Sequence, residues 1–177
     1  LACLGVSVAG AVVPSDWLVA GSAPSEYQFS QATIASSGKY GALIEAKAGT
    51  ASGFGTLMQT ISAGDYRGSR WRLSAYMKTE DAARAQMWMR VDGSEKAMLA
   101  FDNMDSRSVS GTTDWKRYEI VLDVPDASLD IAFGFFLAGR GKVWADNFKL
   151  EKVDASVPTT SMTPSRPKAP ANPDFER

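Results

Sequence analysis

The sequence predicts a two-sheet antiparallel β-sandwich, and three observations carry that prediction. Short runs of alternating apolar and polar residues follow one another from Pro14 to Val153, separated by Gly, Ser, Asp and Pro. No amphipathic helical segment of useful length separates them, so a parallel α/β sheet would lack its crossovers. Between Trp115 and Lys152, three strand patterns succeed one another with turns at Pro125–Ser128 and Gly139-Arg140-Gly141.

Leu1–Val13 is uncharged, rich in small residues and begins without methionine. Ala9-Gly10-Ala11 has the small-x-small form of a signal-peptidase site, so the segment reads as a truncated signal peptide. A membrane-anchor remnant, a buried strand and the end of a lipoprotein box at Leu1-Ala2-Cys3 are the alternatives. The apolar run is shorter than the about 17–25 residues that span a bilayer. On this reading the module is secreted or periplasmic, and touches a membrane only if the leader stays uncleaved.

From Pro14 the expected strands are Trp17–Ala20, Tyr27–Ala35, Ala42–Ala48, Gly55–Ile61, Arg70–Thr79, Ala85–Val91 and Lys96–Phe101, followed by the three in Trp115–Lys152. Asp81–Arg84 has room for one helical turn at most. In the final strand, alternation puts Trp144, Asp146, Phe148 and Leu150 on one face. Asp146 in an apolar row needs a hydrogen-bond donor, a cation or a metal. Residues 154–171, rich in Pro, Ser and Thr, read as an extended linker, and the chain ends in Asn172-Pro-Asp-Phe-Glu-Arg177.

Composition narrows the function. In 177 residues, 45% are apolar and 10% aromatic, enough to build one core. Lys plus Arg number 19 against 20 Asp plus Glu, with no block of either sign, so nucleic acid is not an expected partner. The absence of histidine removes Ser-His-Asp and Cys-His nucleophile pairs and most zinc sites. Cys3, the single cysteine, has no disulfide partner.

Asp114-Trp115-x-x-Tyr118, the Ile131-x-Phe133 strand, and Lys142-Val-Trp-Ala-Asp-Asn-Phe-Lys-Leu150 resemble the C-terminal half of galactose-binding-like jelly-roll modules, a group that includes many carbohydrate-binding modules. Tyr66-Arg-Gly-Ser-Arg-Trp-Arg-Leu-Ser-Ala-Tyr-Met-Lys-Thr79 resembles an upstream strand of the same group, so the likeness covers roughly Gly38 to Val153. Met87–Gly93, Phe101–Met104 and Gly111–Trp115 resemble a narrower set of uncharacterised bacterial modules, some found beside helix-turn-helix regulator domains. No helix-turn-helix pattern occurs in this sequence.

Such modules begin with an N-x-x-F-E strand, which this N-terminal region lacks and Asn172–Glu176 supplies. Either the tail folds back as the missing edge strand, the favoured expectation, or a second module begins there. The resemblance implies a structural calcium ion shared by Glu176 and Asp146. A hydrogen-bonded Asp146 without metal is the alternative.

Strand periodicity assigns faces. Trp71, Leu73, Ala75 and Met77 form an apolar row, leaving Arg72, Ser74, Tyr76 and Lys78 opposite. Met87, Met89 and Val91 form another, leaving Gln86, Trp88 and Arg90 opposite. Ala97, Leu99 and Phe101 are expected inward, with Asp102 opposite. Arg72, Tyr76, Lys78, Gln86, Trp88, Arg90 and Asp102 are therefore the candidate ligand residues, for a carbohydrate or a small polar ligand. An aromatic ring stacks on the C–H face of a sugar, while amide, guanidinium and carboxylate groups bond its hydroxyls. Trp88 is the first choice for the ring. Trp115 and Trp144 read as packing, and Trp17 or Tyr27 could line a loop-end site.

Asp92, Glu95, Asp102 and Asp105 lie close in sequence, as a pair of glycosidase carboxylates must in space, but they surround a turn where acidic residues are ordinary. The expectation is a non-catalytic binding module, probed against three rivals: a structural or protein-interaction sandwich, a small-molecule sensor domain of a membrane or regulatory protein, and a weak glycosidase.

Overall fold

The structure, a computed structural model, describes residues 12–47 and 51–162. The described residues form nine strands: β1 (Leu18–Gly21), β2 (Tyr27–Ala32), β3 (Gly41–Ala46), β4 (Phe54–Ser62), β5 (Ser69–Asp92), β6 (Met98–Asp102), β7 (Val109–Val124), β8 (Asp130–Ala138) and β9 (Lys142–Val153). Every pairing is antiparallel.

β5 organises the molecule. The two runs expected at Arg70–Thr79 and Ala85–Val91 are one strand of 24 residues that bends between them and serves both sheets. Its first half lies between β7 and β9, giving a first sheet ordered β2-β3-β9-β5-β7. Its second half lies between β8 and β6, giving a second sheet ordered β1-β4-β8-β5-β6. The bend falls at Asp81–Arg84, the segment with room for one helical turn. Register against β7 shifts three times between Met77 and Ala85, and Asp81 takes φ 46°. Gly141 (φ 98°) closes against this bend, because a Cβ there would lie 2.3 Å from the Asp81 carbonyl oxygen.

The sandwich interior follows the expected alternation on β5. Leu73, Ala75 and Met77 from its first half face Met87, Met89 and Val91 from its second, all buried. Ile120 and Leu122 of β7, Ile131, Phe133, Phe135 and Leu137 of β8, and Tyr27, Ile44 and Leu57 complete the core. Trp17 closes one margin, its ring 5.0 Å from Phe148 and 6.2 Å from Phe133.

Two assigned faces are corrected. Asn147 adopts the left-handed conformation (φ 57°), and β9 slips against β5 between Ser74 and Tyr76. This bulge breaks the strict period of two. Phe148 and Leu150 consequently pack on the core, whereas Trp144 pairs with Leu43 and Lys78 on the outer side. On β6, Phe101 pairs with Arg90 and Asp102 with Met89, with a register shift at Val91/Asp92. Cross-strand partners share a face, so Phe101 points outward, while Ala100 and Asp102 point inward.

Both ends of the sandwich carry contacts beyond the strands. The Val12 carbonyl accepts the Gln31 amide (2.7 Å), so residues 12–13, expected within the leader, are attached to the fold. Residues 154–162, expected as the first part of an extended linker, form a strap along the edges of both sheets. Arg70 donates to the Ala155 and Val157 carbonyls (2.7 and 2.5 Å), Thr160 exchanges bonds with Val121, and the Met162 amide reaches the Phe101 carbonyl (2.7 Å). Asn172–Arg177 lies outside the described residues.

Candidate functional site

The bend in β5 separates the candidate ligand residues. Arg72, Tyr76 and Lys78 lie on the outer face of the first sheet, and Gln86, Trp88 and Arg90 on the outer face of the second, across the thickness of the sandwich. Asp102 is on neither face. It is fully buried, accepts from Arg107 Nη1 and Nη2 (3.2 and 2.5 Å), and accepts the Met104 amide at 2.8 Å. The inward turn of a carboxylate is compensated by charge-assisted hydrogen bonds, so Asp102 is a brace for the 105–107 turn.

The outer face of the first sheet is a ladder of ion pairs. Arg72 Nε lies 3.4 Å from Glu119, Arg117 pairs with Glu119 and Glu151, Lys149 is 2.8 Å from Glu151, and Lys78 is 3.2 Å from Asp114. The Lys149 hydrogen bond holds the Glu151 carboxyl below its ordinary range. The Trp115 amide, and then Lys78, do the same for Asp114. These charges satisfy one another along β7 and β9 and across the strands of the sheet.

The second sheet is different. Its outer face holds a recess of about 360 Å³ that runs from Ala20 of β1, past Thr56 and Met58 of β4 and Phe136 of β8, to Trp88 and Arg90 of β5 and Phe101 and Asn103 beyond. Trp88 and Thr56 lie on strands separated by β8, about 10 Å apart at the usual strand spacing. The indole bridges them, since Trp88 Nε1–H donates to Thr56 Oγ1 at 3.0 Å. Thr56 in turn donates to the Phe135 carbonyl at 2.8 Å. The indole can cross because the residue between is Gly134, the Cα partner of both Trp88 and Met58. A Cβ at Gly134 would meet the Leu57 carbonyl oxygen at 2.1 Å, so glycine is required by the approach of β4 as well. Phe54 and Phe136, with centroids 5.3 Å apart, line the same recess.

Polar groups frame this apolar floor. Arg90 Nε donates to Asp92 (2.9 Å), fixing the guanidinium at the rim with its side chain 45% exposed. Gln86 is fully buried and bonds Arg84 Nε and the Asn103 carbonyl (2.5 and 2.7 Å). It therefore braces the wall from beneath.

Asp146, the expected calcium ligand, accepts the Ser36 amide, the Ser36 hydroxyl and the Ser37 amide on Oδ2 (3.0, 2.8 and 3.0 Å), and the Asn147 amide on Oδ1 (2.7 Å). The carboxylate is thus held by four donors, and Glu176, the other expected ligand, lies outside the described residues. Among the described residues, no group of three or more His, Cys, Asp or Glu is placed to hold a metal. Trp17, Tyr40, Gln59 and Asn147 border a second recess of about 390 Å³ where β3 stops pairing with β9. Tyr27 is buried, its hydroxyl donating to the Gly53 carbonyl at 2.6 Å.

The sequence reading missed Thr56, Gly134, Phe136, Phe54, Phe101 and Asn103. Gly134 interrupting an apolar strand run was the one available signal, since such a glycine marks a close backbone approach.

No family model matches the chain. Over 110 residues it is 48% identical to a protein of Bacillus subtilis strain 168 described as the uncharacterized HTH-type transcriptional regulator YbfP; the match covers 62% of this chain and spans 37% of that protein's length. Among solved structures, the active domain of bacteriophage CBA120 tailspike protein 4 aligns over 78% of this chain and 20% of its own (TM-score 0.64, 12% identity). A cyclase from Fischerella sp. TAU aligns over 78% and 84% of the two chains (TM-score 0.60, 13% identity). The CBM22-1 xylan-binding domain of Paenibacillus barcinonensis Xyn10C aligns over 83% and 92% (TM-score 0.55, 12% identity). The chain thus has the jelly-roll β-sandwich fold also seen in carbohydrate-binding modules.

Proposed function

We propose that this chain is a non-catalytic module that binds a saccharide in the recess on the outer face of the second sheet, with the sugar stacked on Trp88. One observation carries the reading: the indole is laid across β8 over Gly134 and tied to Thr56 before any ligand arrives. An aromatic surface fixed in this way costs little ordering entropy on binding, and its C–H-stacking face is flanked by Phe136 and by polar groups at Arg90 and Asn103. Absence of catalysis belongs to the same proposal and is supported by the nearby carboxylates. Asp92 pairs with Arg90, Asp105 with Arg84, and Asp102 is in the core.

A glycan and polysaccharide screen of the full chain tests this, run beside Trp88→Ala and beside Tyr76→Ala on the opposite face. Binding that Trp88→Ala removes and Tyr76→Ala leaves intact is expected; binding lost only with Tyr76→Ala moves the site to the first sheet.

The identity to part of a protein described as an HTH-type transcriptional regulator favours one second reading, in which the recess senses a small effector for a regulatory partner. Tight binding of a monosaccharide or other small polar solute, with no affinity for polymers, is the outcome that reading expects.

A further inference from the structure

We infer that the recess selects saccharides carrying a carboxylate, of the uronate type, over neutral ones; this rests on the saccharide reading above. The inference comes from an imbalance of hydrogen-bonding groups. Neutral sugars present hydroxyls that donate as well as accept, and a site built for them needs acceptors. Among the described residues, no Asp or Glu lines this recess. The side-chain acceptors that line it, and the Asn103 carbonyl, each already receive one bond: Thr56 Oγ1 receives the indole N–H, the Asn103 side-chain oxygen receives the Asp105 amide (3.1 Å), and the Asn103 carbonyl receives Gln86 (2.7 Å).

The donors are open. Arg90 pairs with Asp92 and donates to it through Nε, and among the described residues its two terminal nitrogens donate no hydrogen bond. With Nε engaged, the free end of the guanidinium is the two-pronged edge that matches a carboxylate with parallel N–H···O bonds. The Asn103 side-chain NH₂ is likewise without a partner among the described residues, since only its oxygen is used. Phe101, the Cα partner of Arg90, lines the recess beside it. A ring stacked on Trp88 would thus meet donors at this end of the recess, where the neighbouring carboxylate, Asp92, is already paired with Arg90. Asp92 fixes Arg90 from the side and leaves its outward edge to the ligand.

The test compares matched polymers. Binding of the full chain to polygalacturonate and to alginate is measured against carboxyl-reduced preparations of the same polymers, in low and high salt. The acidic forms are expected to bind more tightly by about tenfold, as for a hydrogen bond to a charged group, with the gap narrowing as salt screens it. Arg90→Gln should erase the gap between acidic and reduced forms, and Asn103→Ala should narrow it. Trp88→Ala should abolish binding of both forms. Arg90 is half exposed, so an unchanged melt for Arg90→Gln is expected and separates selectivity from folding. Equal affinity for acidic and reduced polymers, lost with Trp88→Ala, overturns the carboxylate inference and leaves the saccharide reading standing. Acid-dependent binding that persists in Trp88→Ala overturns both.

Discussion

Thr56→Val is the perturbation that most directly probes how the indole is held. Thr56 is 3% exposed and its hydroxyl accepts from Trp88 Nε1 and donates to the Phe135 carbonyl. Valine keeps the shape and removes both bonds. At about 1 kcal/mol net per hydrogen bond, the variant loses about 2 kcal/mol. For a domain of this size that lowers the melting temperature by about 4–8 °C. Thr56→Ser retains both bonds and should cost less than about 1 kcal/mol, the loss of one methyl group. The assay is a double-mutant cycle with Trp88→Phe, which deletes the indole N–H and leaves an aromatic ring. If the bond exists, Thr56→Val should cost about 1 kcal/mol less in the Trp88→Phe background than in the wild type. Near-UV circular dichroism should lose part of its tryptophan signal in Thr56→Val, and ligand affinity should fall as the ring gains freedom. An equal cost in both backgrounds would refute the tether, and with it the claim that the platform is preformed.

Other perturbations test the surrounding frame. Asp102→Ala strips the partner from Arg107 and the acceptor from the Met104 amide at a core position; because Arg107 is partly exposed, the loss expected in a denaturant titration is about 2–3 kcal/mol, at or below the low end for a broken buried pair. Arg70→Gln removes the bidentate pair with Asp123 (2.7 and 3.0 Å) and the two bonds to the strap, so hydrogen exchange at Thr160 and Met162 should accelerate while the core amides hold. Acid should weaken the fold in a defined window. The Ser156 amide holds Asp154 below its ordinary range, and Lys149 does so for Glu151. Carboxyls depressed in the folded state stabilise it above their unfolded values of about 3.9 and 4.3, and that contribution is lost as pH falls through the folded values. Melting temperature should therefore drop below about pH 4, less steeply in Glu151→Gln; a melt independent of pH between about 5 and 3 contradicts these partners.

Much of the frame was legible in the sequence, and what was not has physical causes. Period-two alternation placed Leu73, Ala75, Met77, Met87, Met89 and Val91 in the core, where each is found. It also placed Trp88 and Arg90 on one face. Alternation is local, however, and does not say that two runs belong to one strand bent between two sheets. That is why Arg72, Tyr76 and Lys78 were grouped with residues that lie across the sandwich from them. The bulge at Asn147 reversed the phase of β9 through a single left-handed residue, and only Asn's tolerance of that conformation hinted at it. β8 is apolar on both faces, so Phe136 could not be told from the core residues Phe133 and Phe135. Thr56 is unremarkable in its own strand; its importance comes from an indole two strands away.

Stacking of a saccharide on Trp88 is tested by titrating the full chain with glycans and polysaccharides while following tryptophan fluorescence, in the wild type and in Trp88→Ala. A saturable change is expected that Trp88→Ala removes while the variant keeps its cooperative melt. Saturable glycan binding of equal affinity in folded Trp88→Ala would contradict it, as would a folded wild type that binds no glycan in the set.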